Sequence, residues 1–312
     1  MRVVFMGTPQ AAVPSLERLV TDGYEVVGVY TQPDRTAGRG RSLAFSPVKQ
    51  AAIQRDLHVI QPENFEKSED VKRLADLKPD VIVICAYGQI LPQSVLDIPP
   101  YQCVNVHFSL LPRHRGASPV AAAILAGDEF SGVSIQLVRK KLDTGPVLIA
   151  GAVPVASQDT TGSLTEKLSL VGAGLLLEAL NGWRRKEITP QTQDESKATC
   201  FSQIKKEEGE IDWTLPAEEI GRKVRAYYPW PGCFTKWRGK NLRIIRASVL
   251  PGATSQGAGK VVALPGQKTA VGVGTGKGVL TVLSLQLEGK RMMTASEFVR
   301  GQRDFIGSVL TG

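Results

Sequence analysis

The sequence predicts an α/β fold in which a Rossmann-like parallel sheet is followed by a small C-terminal β-barrel of the OB-like type. Over the first 150 residues, continuous apolar runs alternate with amphipathic helical patterns, which is typical of parallel strands buried on both faces. The final part of the chain carries short apolar runs separated by glycines, a pattern typical of small barrels. A length of 312 residues suits two domains better than one core.

The N-terminal elements are predicted as alternating strands and helices. Strands are predicted at residues 2–6, 24–30, 57–60, 81–85, 103–107 and 132–138. Helices are predicted at residues 13–20, 47–55, 65–77 and 119–126, where apolar side chains recur with the helical period. This alternation builds a sheet covered by helices on both faces, and ligands bind beyond the carboxyl ends of its strands.

A long helix at residues 160–183 and a polar stretch containing Pro190 end this region. We therefore predict an α/β domain at residues 1–188, a linker at 189–205 and a basic β-barrel domain at 206–312. Strands of the last domain are predicted at residues 242–245, 261–264, 270–273 and 279–285.

The sequence argues against a membrane protein and against a structural metal site. The N-terminal apolar run covers only residues 3–6, which is far too short for a signal peptide or a membrane span. The four cysteines are scattered and form no C-x-x-C pair: Cys85, Cys103, Cys200 and Cys233. We expect reduced and mostly buried thiols, no metal ion and a cytoplasmic location.

The positive charge is concentrated in the second half of the chain. The net charge is +8, and residues 206–312 hold 16 Lys and Arg against 9 Asp and Glu. Residues 220–287 contain eleven basic residues and no acidic one. Such a single-sign field favours a polyanionic partner, with a solvated basic face as the alternative.

The strongest chemical signal is the pair Asn105 and His107 at the end of a predicted strand. Two residues apart on a strand, both side chains project from the same face. An amide can donate to a developing oxyanion, and an imidazole exchanges a proton near neutral pH. Asp143 follows the next strand, so in a parallel sheet it is expected at the same carboxyl edge, within reach of His107. The alternative is an ordinary turn that Asp143 begins before Gly145.

Residues 32–41 form a second notable segment, in which Arg35, Arg39 and Arg41 alternate with Gly38 and Gly40. A loop this rich in glycine and arginine builds no core, and its guanidinium groups suit phosphates and unpaired bases. The alternative is a basic loop with no specific role. By contrast, Gly7-Thr8-Pro9 after the first strand lacks the G-x-G-x-x-G of dinucleotide-binding proteins.

Several of these motifs resemble the folate-dependent formyltransferase family. The resemblance lies in NVHFSLLP at residues 105–112, RGASP at 115–119 and LDTG at 142–145. It continues in QPDR at 32–35, AYGQILP at 86–92 and IDW at 211–213. Because the matches run in order through nearly the whole chain, both predicted domains take part in the resemblance.

The resemblance implies a reaction and a set of residues. It implies 10-formyltetrahydrofolate as the donor, the α-amino group of methionyl initiator tRNA as the acceptor, a monomer and no metal. Asn105, His107 and Asp143 would be catalytic. Folate would lie against Ser109, Leu110, Leu111 and Pro112 and against the backbone of Gln89, Ile90 and Leu91. The tRNA would contact Arg35, Arg39 and Arg41, with Arg39 at the matching arginine position, as well as the basic domain.

Two positions depart from the family pattern. Phe108 stands where the family usually has a small residue, and we expect its ring to pack in the core, away from His107. Lys141 stands where the family usually has glycine, which affects the loop before Asp143.

Two other functions remain open from the sequence. One is a formyltransferase for a small amine, a nucleotide sugar or a purine precursor, or a hydrolase of formyl-folate. The other is a tRNA-binding protein that has lost activity. Formylation of methionyl initiator tRNA by formyl-folate distinguishes all three.

Overall fold

The structure, a computed structural model, describes residues 1–37, 42–264 and 270–311. The chain divides into two compact units. The first comprises Met1–Pro119, Phe130–Pro154 and Thr165–Phe201. The second comprises Val120–Glu129, Val155–Leu164 and Ser202–Gly312.

Strands and helices alternate through the first part of the chain. The strands are β1 (Arg2–Gly7), β2 (Glu25–Tyr30), β3 (Arg35–Ala37), β4 (Ser42–Ala44), β5 (Val59–Ile60), β6 (Val81–Cys85), β7 (Cys103–His107), β8 (Arg115–Gly116), β9 (Phe130–Leu137), β10 (Val147–Pro154) and β11 (Cys200–Phe201). The helices are α1 (Val13–Thr21), α2 (Pro47–Ile53), α3 (Ser68–Asp76), α4 (Gln93–Leu96), α5 (Pro119–Ala126) and α6 (Thr161–Arg184). Short 3-10 turns occupy Gln10–Ala12, Glu195–Lys197 and Lys206–Gly209.

The first unit is built on a seven-stranded sheet with the order β10-β9-β7-β6-β1-β2-β5. Neighbours from β5 to β7 are parallel, which confirms the predicted parallel-dominated sheet. Its central strands are buried on both faces, as their continuous apolar runs predict.

Two strands at one edge of this sheet differ from the prediction. β9 runs antiparallel to β7, and β10, which is not among the predicted strands, runs antiparallel to β9. Ser134 in the middle of β9 faces His107, the last residue of β7, so the first residues of β9 lie beyond the carboxyl end of β7. A strand that enters at the carboxyl edge has to run back along its neighbour.

Several predicted element boundaries shift by a few residues. Helix α3 is shorter at both ends than the predicted 65–77, and α6 covers the predicted 160–183 almost fully. The stretch predicted as a linker, residues 189–205, contains β11, which pairs with β8. The domain boundaries themselves stay a prediction.

The second unit contains an antiparallel sheet with the order β12-β13-β16-β15-β14, and β17 pairs with β16. Its elements are α7 (Ala217–Ala226), β12 (Cys233–Trp237), β13 (Lys240–Leu250), β14 (Val261–Ala263), β15 (Val271–Gly274), β16 (Val279–Leu287), β17 (Met293–Thr294) and α8 (Ala295–Gly301). Backbone hydrogen bonds join Lys236 of β12 to Thr311, and Val261 of β14 to Ser308. The C-terminal segment thus bonds to both edge strands, and the predicted small β-barrel is confirmed as a curled antiparallel sheet, a half-barrel.

Burial separates the cysteines into two groups. Cys85, Cys103 and Cys233 are buried, and all four cysteines are free. Burial raises the pKa of each of these three thiols to about 12. Cys200 is exposed on β11. No helix within residues 1–37, 42–264 and 270–311 combines the length and apolar character needed to cross a membrane.

Candidate active site

The His107 ring lies at the end of β7 and is held from both sides. Its Nε2 lies 3.0 Å from the backbone carbonyl of His114, so Nε2 carries a hydrogen and donates it. Its Nδ1 lies 3.6 Å from Oδ1 of Asp143, and both side chains are only 6% exposed. This distance is longer than a hydrogen bond, and the contact becomes an ion pair when the ring is protonated.

Asn105 lies two residues before His107 on the same strand and is half-buried. On the backbone it faces Ile84 of β6 and Gln136 of β9. Its side-chain amide makes no hydrogen bond to any described residue, which leaves its N–H groups free to donate to a ligand.

The Asp143 carboxylate is fixed by two donors, one to each oxygen. Oδ2 accepts from the backbone N–H of Gly116 at 2.9 Å, and Oδ1 accepts from Nε2 of Gln136 at 2.8 Å. Asp143 has a positive φ of 52°, a left-handed backbone conformation that few non-glycine residues adopt. The surrounding structure therefore holds Asp143 in one orientation.

Asp143 and His107 come together by a different route from the one the sequence predicts. Asp143 does lie beside His107 at the end of β7, as predicted. The predicted route is wrong, because β9 runs antiparallel to β7 and its end at Leu137 faces Val104 near the start of β7. The chain turns back instead, and Gly145 packs against Leu137 so closely that an added Cβ would lie 1.6 Å from the Leu137 carbonyl oxygen. A tight turn, which needs glycine at this position, returns Asp143 to His107.

Three further side chains hold this turn, and none of them is among the predicted site residues. Nε2 of Gln193 donates to the carbonyls of Asp143 and Gly145, at 2.9 and 2.6 Å. Oε1 of Gln193 accepts from Nε and Nη2 of Arg115, at 3.0 and 2.8 Å. Arg115 also forms an ion pair with Glu195 at 2.7 Å. The only sequence signal was the position of Arg115 inside the motif RGASP.

This ion pair is reflected in the pKa values of both partners. The hydrogen bond to Glu195 raises the pKa of Arg115, and the hydrogen bond from Arg115 lowers the pKa of Glu195. Arg115 is 3% exposed. A buried guanidinium needs such partners, because an unpaired charge there would be costly.

The segment Ser109, Leu110, Leu111 and Pro112 is fixed at its base by Ser134 of β9. Oγ of Ser134 donates to the carbonyl of Ser109 at 2.8 Å and accepts from the N–H of Leu111 at 3.0 Å. Leu110, Leu111 and Pro112 are half-buried. The neighbouring Phe108 is buried, and its predicted packing in the core is confirmed.

The loop that carries Gln89, Ile90 and Leu91 is anchored through one side chain. Nε2 of Gln89 donates to the carbonyls of Pro62 and Glu63, at 3.1 and 3.2 Å. Ile90 is 89% exposed. The backbone N–H and C=O groups of Ile90 and Leu91 form no hydrogen bond within the described part of the chain. In the same described residues, no hydrogen bond or ion pair joins this loop to the side chains of Asn105, His107 and Asp143.

The arginine loop is described only at its base. Arg35 is exposed on β3, which pairs with β4. Arg39 and Arg41 lie outside the described residues. Next to Arg35, the Asp34 carboxylate is paired with Lys49 and accepts from Gln61 at 2.9 Å, and these hydrogen bonds lower the pKa of Asp34. Among the residues that the structure describes, no group of three or more His, Cys, Asp or Glu side chains is placed to hold a metal ion.

Comparison with known proteins places the chain in a family. The family model described as formyl transferase matches residues 1–180, and that of the formyl transferase C-terminal domain matches residues 203–303. The chain belongs to the formyl transferase family. The predicted resemblance is thereby confirmed, whereas the catalytic and binding roles of individual residues stay predictions.

Formyl transferases with full-length similarity include a methionyl-tRNA formyltransferase from Dehalococcoides mccartyi. It is 48% identical over 308 residues, which cover 98% of this chain and 97% of that protein. Two solved structures share the fold. HypX from Aquifex aeolicus in complex with tetrahydrofolic acid has a TM-score of 0.62 and 20% identity over 99% of this chain, which spans about half (48%) of the HypX chain. The N-formyltransferase from Helicobacter canadensis, in complex with folinic acid and dTDP-3-aminofucose, has a TM-score of 0.67 and 18% identity over 90% of this chain and 97% of that one.

Proposed function

We propose that the protein transfers the formyl group of 10-formyltetrahydrofolate to the α-amino group of methionyl initiator tRNA. The observation that carries the proposal is the 48% identity to a methionyl-tRNA formyltransferase over 98% of the chain. The similarity includes the second unit, whose excess of Lys and Arg suits a polyanionic acceptor better than a small amine. This unit supplies the positive field that a tRNA requires.

The reaction needs a neutral amine, a stabilised oxyanion and a proton acceptor. The amine nitrogen attacks the formyl carbon, a carbon–nitrogen bond forms and the carbonyl electrons move onto oxygen. Asn105 donates its amide N–H to this oxyanion, and His107, when protonated, adds a positive charge beside it. Asp143, whose carboxylate is the nearest anion to the ring, supports His107 and removes the proton of the attacking amine.

The second half of the reaction returns that proton. As the oxyanion re-forms the carbonyl, the bond between the formyl carbon and N10 of the folate breaks. The proton taken from the amine passes to N10, so the products are formylmethionyl-tRNA and tetrahydrofolate. No covalent bond to the enzyme is required, because the formyl carbon already carries a nitrogen leaving group.

Two segments suit the folate. The unpaired backbone groups of Ile90 and Leu91, next to Gln89, match the donor and acceptor edge of a pterin ring. In the segment Ser109, Leu110, Leu111 and Pro112, Ser109 is buried, and the half-buried Leu110, Leu111 and Pro112 offer an apolar surface that follows His107 in the chain. The tRNA is proposed to contact Arg35, Arg39 and Arg41.

We further propose that the protein acts as a monomer in the cytoplasm, where its free thiols stay reduced.

The direct test is formylation of methionyl initiator tRNA. The protein is incubated with 10-formyltetrahydrofolate and methionyl initiator tRNA, and the ester-linked amino acid is released and analysed for formylmethionine. We expect formylmethionine that depends on both substrates. Formylation of free amino sugars without tRNA formylation, hydrolysis of the folate alone, or tRNA binding without chemistry would each contradict the proposal.

A further inference from the structure

Gln193 uses its whole hydrogen-bonding capacity inside the first unit. The side chain is 8% exposed, and its amide nitrogen donates to the Asp143 and Gly145 carbonyls while its oxygen accepts twice from Arg115. A side-chain amide has two N–H donors and an oxygen with two lone pairs, so all are used. Such complete pairing is expected of a group that fixes a geometry.

The two carbonyls that Gln193 binds bracket the turn that presents the Asp143 carboxylate. Asp143 itself adopts a left-handed backbone conformation, which persists at a non-glycine residue only where its surroundings impose it. With the Gln193 amide removed, the Asp143 and Gly145 carbonyls would lose this donor. The turn could then relax and carry the Asp143 carboxylate away from His107.

Arg115 determines which way round the Gln193 amide lies. A guanidinium group has only donors, so it can bind the oxygen of an amide and never its nitrogen. Arg115 thereby directs the Gln193 nitrogen towards the Asp143 turn. Glu195, two residues after Gln193, holds Arg115 from the other side through bonds of 2.7 and 3.0 Å.

The Asp143 carboxylate is held by the neighbour of Arg115. Gly116 donates its N–H to Oδ2 of Asp143, and both residues of β8 pair with β11. The close pairing needs glycine, since a Cβ on Gly116 would lie 2.2 Å from the Phe201 carbonyl oxygen. The backbone and the carboxylate of Asp143 are therefore both positioned by β8 and by residues 193–201.

We infer that Gln193 is a positioning residue for the Asp143 base, that Arg115 orients it, and that residues 193–201 are part of the catalytic machinery. The inference rests on the proposed function, because it requires that Asp143 act in formyl transfer. It assigns a role in the reaction to a stretch whose sequence suggests only a linker.

The test is kinetic and uses two variants of Gln193 with a matched control. Gln193→Met removes every hydrogen bond, and Gln193→Glu keeps the Arg115 contact but turns a carboxylate oxygen towards the two carbonyls. We expect both to lower kcat about 10²-fold, since misplacing a catalytic group by about 1 Å costs this much. KM for tRNA and for the folate should change by less than about 2-fold, because Gln193 is buried and its hydrogen bonds are made to protein groups.

The control is Gln191→Met. Gln191 lies two residues away, and within the part of the chain that the structure describes its exposed side chain bonds only to the Thr189 carbonyl. This variant should keep the parent kcat. In addition, Arg115→Met combined with Gln193→Met should lower kcat no further than Gln193→Met alone, because Arg115 is inferred to act on Asp143 through the Gln193 amide.

Folate titration counts the folded active sites, so that kcat is expressed per competent site. An unchanged kcat per folate-binding site in Gln193→Met overturns the inference, and so does a fall in total rate that only matches a fall in the number of these sites. The variant Asp143→Asn distinguishes a failure of the proposed mechanism from a failure of the inference about Gln193. If Asp143→Asn keeps the parent kcat, the proposed mechanism fails; if it loses activity while both Gln193 variants keep theirs, only the inference fails.

Discussion

The side chain of Asn105 makes no hydrogen bond to another described residue, whereas the side chains of His107 and Asp143 are held by their surroundings. A free amide at the end of a buried strand is available to an oxyanion without first breaking a bond. Its strand neighbours on both sides fix its position, so little reorganisation is needed when charge develops.

Asn105→Ala should therefore lower the chemical rate by about 10²–10³-fold, the usual cost of removing one oxyanion donor. Single-turnover kinetics with saturating folate and tRNA measures this rate apart from binding. If the substitution changes only substrate affinity and leaves the single-turnover rate intact, Asn105 is not the oxyanion donor.

The cysteines differ in reactivity because they differ in burial. At pH 8, an alkylating reagent should modify Cys200 in the folded protein and leave the three buried thiols untouched, since burial disfavours their thiolate forms. Peptide mass spectrometry before and after unfolding in urea locates the label. Rapid labelling of Cys85, Cys103 or Cys233 in the folded state would contradict the burial that the structure describes.

Among the secondary-structure elements, α8 has the clearest start signal. Thr294 and Glu297 form a reciprocal capping box, in which Oγ1 of Thr294 accepts from the Glu297 N–H at 3.3 Å. The Glu297 carboxylate accepts from the Thr294 N–H at 2.8 Å. Phe298, one turn into the helix, packs edge-on against Trp237 and Phe305 of the barrel. The cap thus supports a helix that covers part of the barrel core.

Thr294→Ala should lower the free energy of unfolding by about 1 kcal/mol, the typical cost of losing an N-cap. Urea denaturation should show a lower midpoint with an unchanged slope, and Thr254→Ala, at an exposed threonine outside helices and strands, should show neither change. An unaltered midpoint in Thr294→Ala would mean that the cap does not stabilise α8.

The same capping box should make the stability of the protein depend on pH in a defined direction. Hydrogen bonds from Thr294 lower the pKa of Glu297, so the folded state favours the charged carboxylate. This contribution is present above the unfolded pKa of about 4.3 and is lost as the pH falls through the lowered pKa. The difference in stability between the parent and Thr294→Ala should accordingly shrink below about pH 4.3. A difference that grows in acid would contradict the stabilising role of the charged Glu297 carboxylate.

For the molecule as a whole, the uneven charge distribution predicts how tRNA recognition responds to salt. The eleven basic residues between positions 220 and 287 have no acidic residue among them in sequence, and Arg238 pairs with Asp304 from outside the stretch. The net positive charge that remains attracts phosphates, and salt screens this attraction. Each phosphate contact releases counterions on binding. KM for tRNA should therefore rise steeply with salt, whereas KM for the folate should not.

Replacing Lys236 and Lys240, which are exposed on β12 and β13, by Gln should reduce the salt slope of tRNA binding by about 1 for each phosphate that the barrel no longer neutralises. The matched control replaces the exposed Lys67 and Lys72 of the first unit by Gln, which removes the same charge. Equal slopes in the two double variants would show that net charge alone, and not the barrel surface, governs the interaction.

The local pattern of residues was enough to predict the strands of the parallel sheet, the small barrel, the family, and the pairing of Asn105 with His107 on one strand. These features depend on neighbours in the chain: apolar continuity marks a buried strand, and a spacing of two marks one face. The direction of β9 and the residues that hydrogen-bond to Asp143 could not be predicted in this way. Gln136, Gln193 and Gly116 reach Asp143 over separations of 7 to 50 residues, and a polar side chain carries no local sign of its distant partner. Burial of the chain in three dimensions selects those partners, because each buried donor and acceptor must be satisfied by whatever group the fold brings beside it.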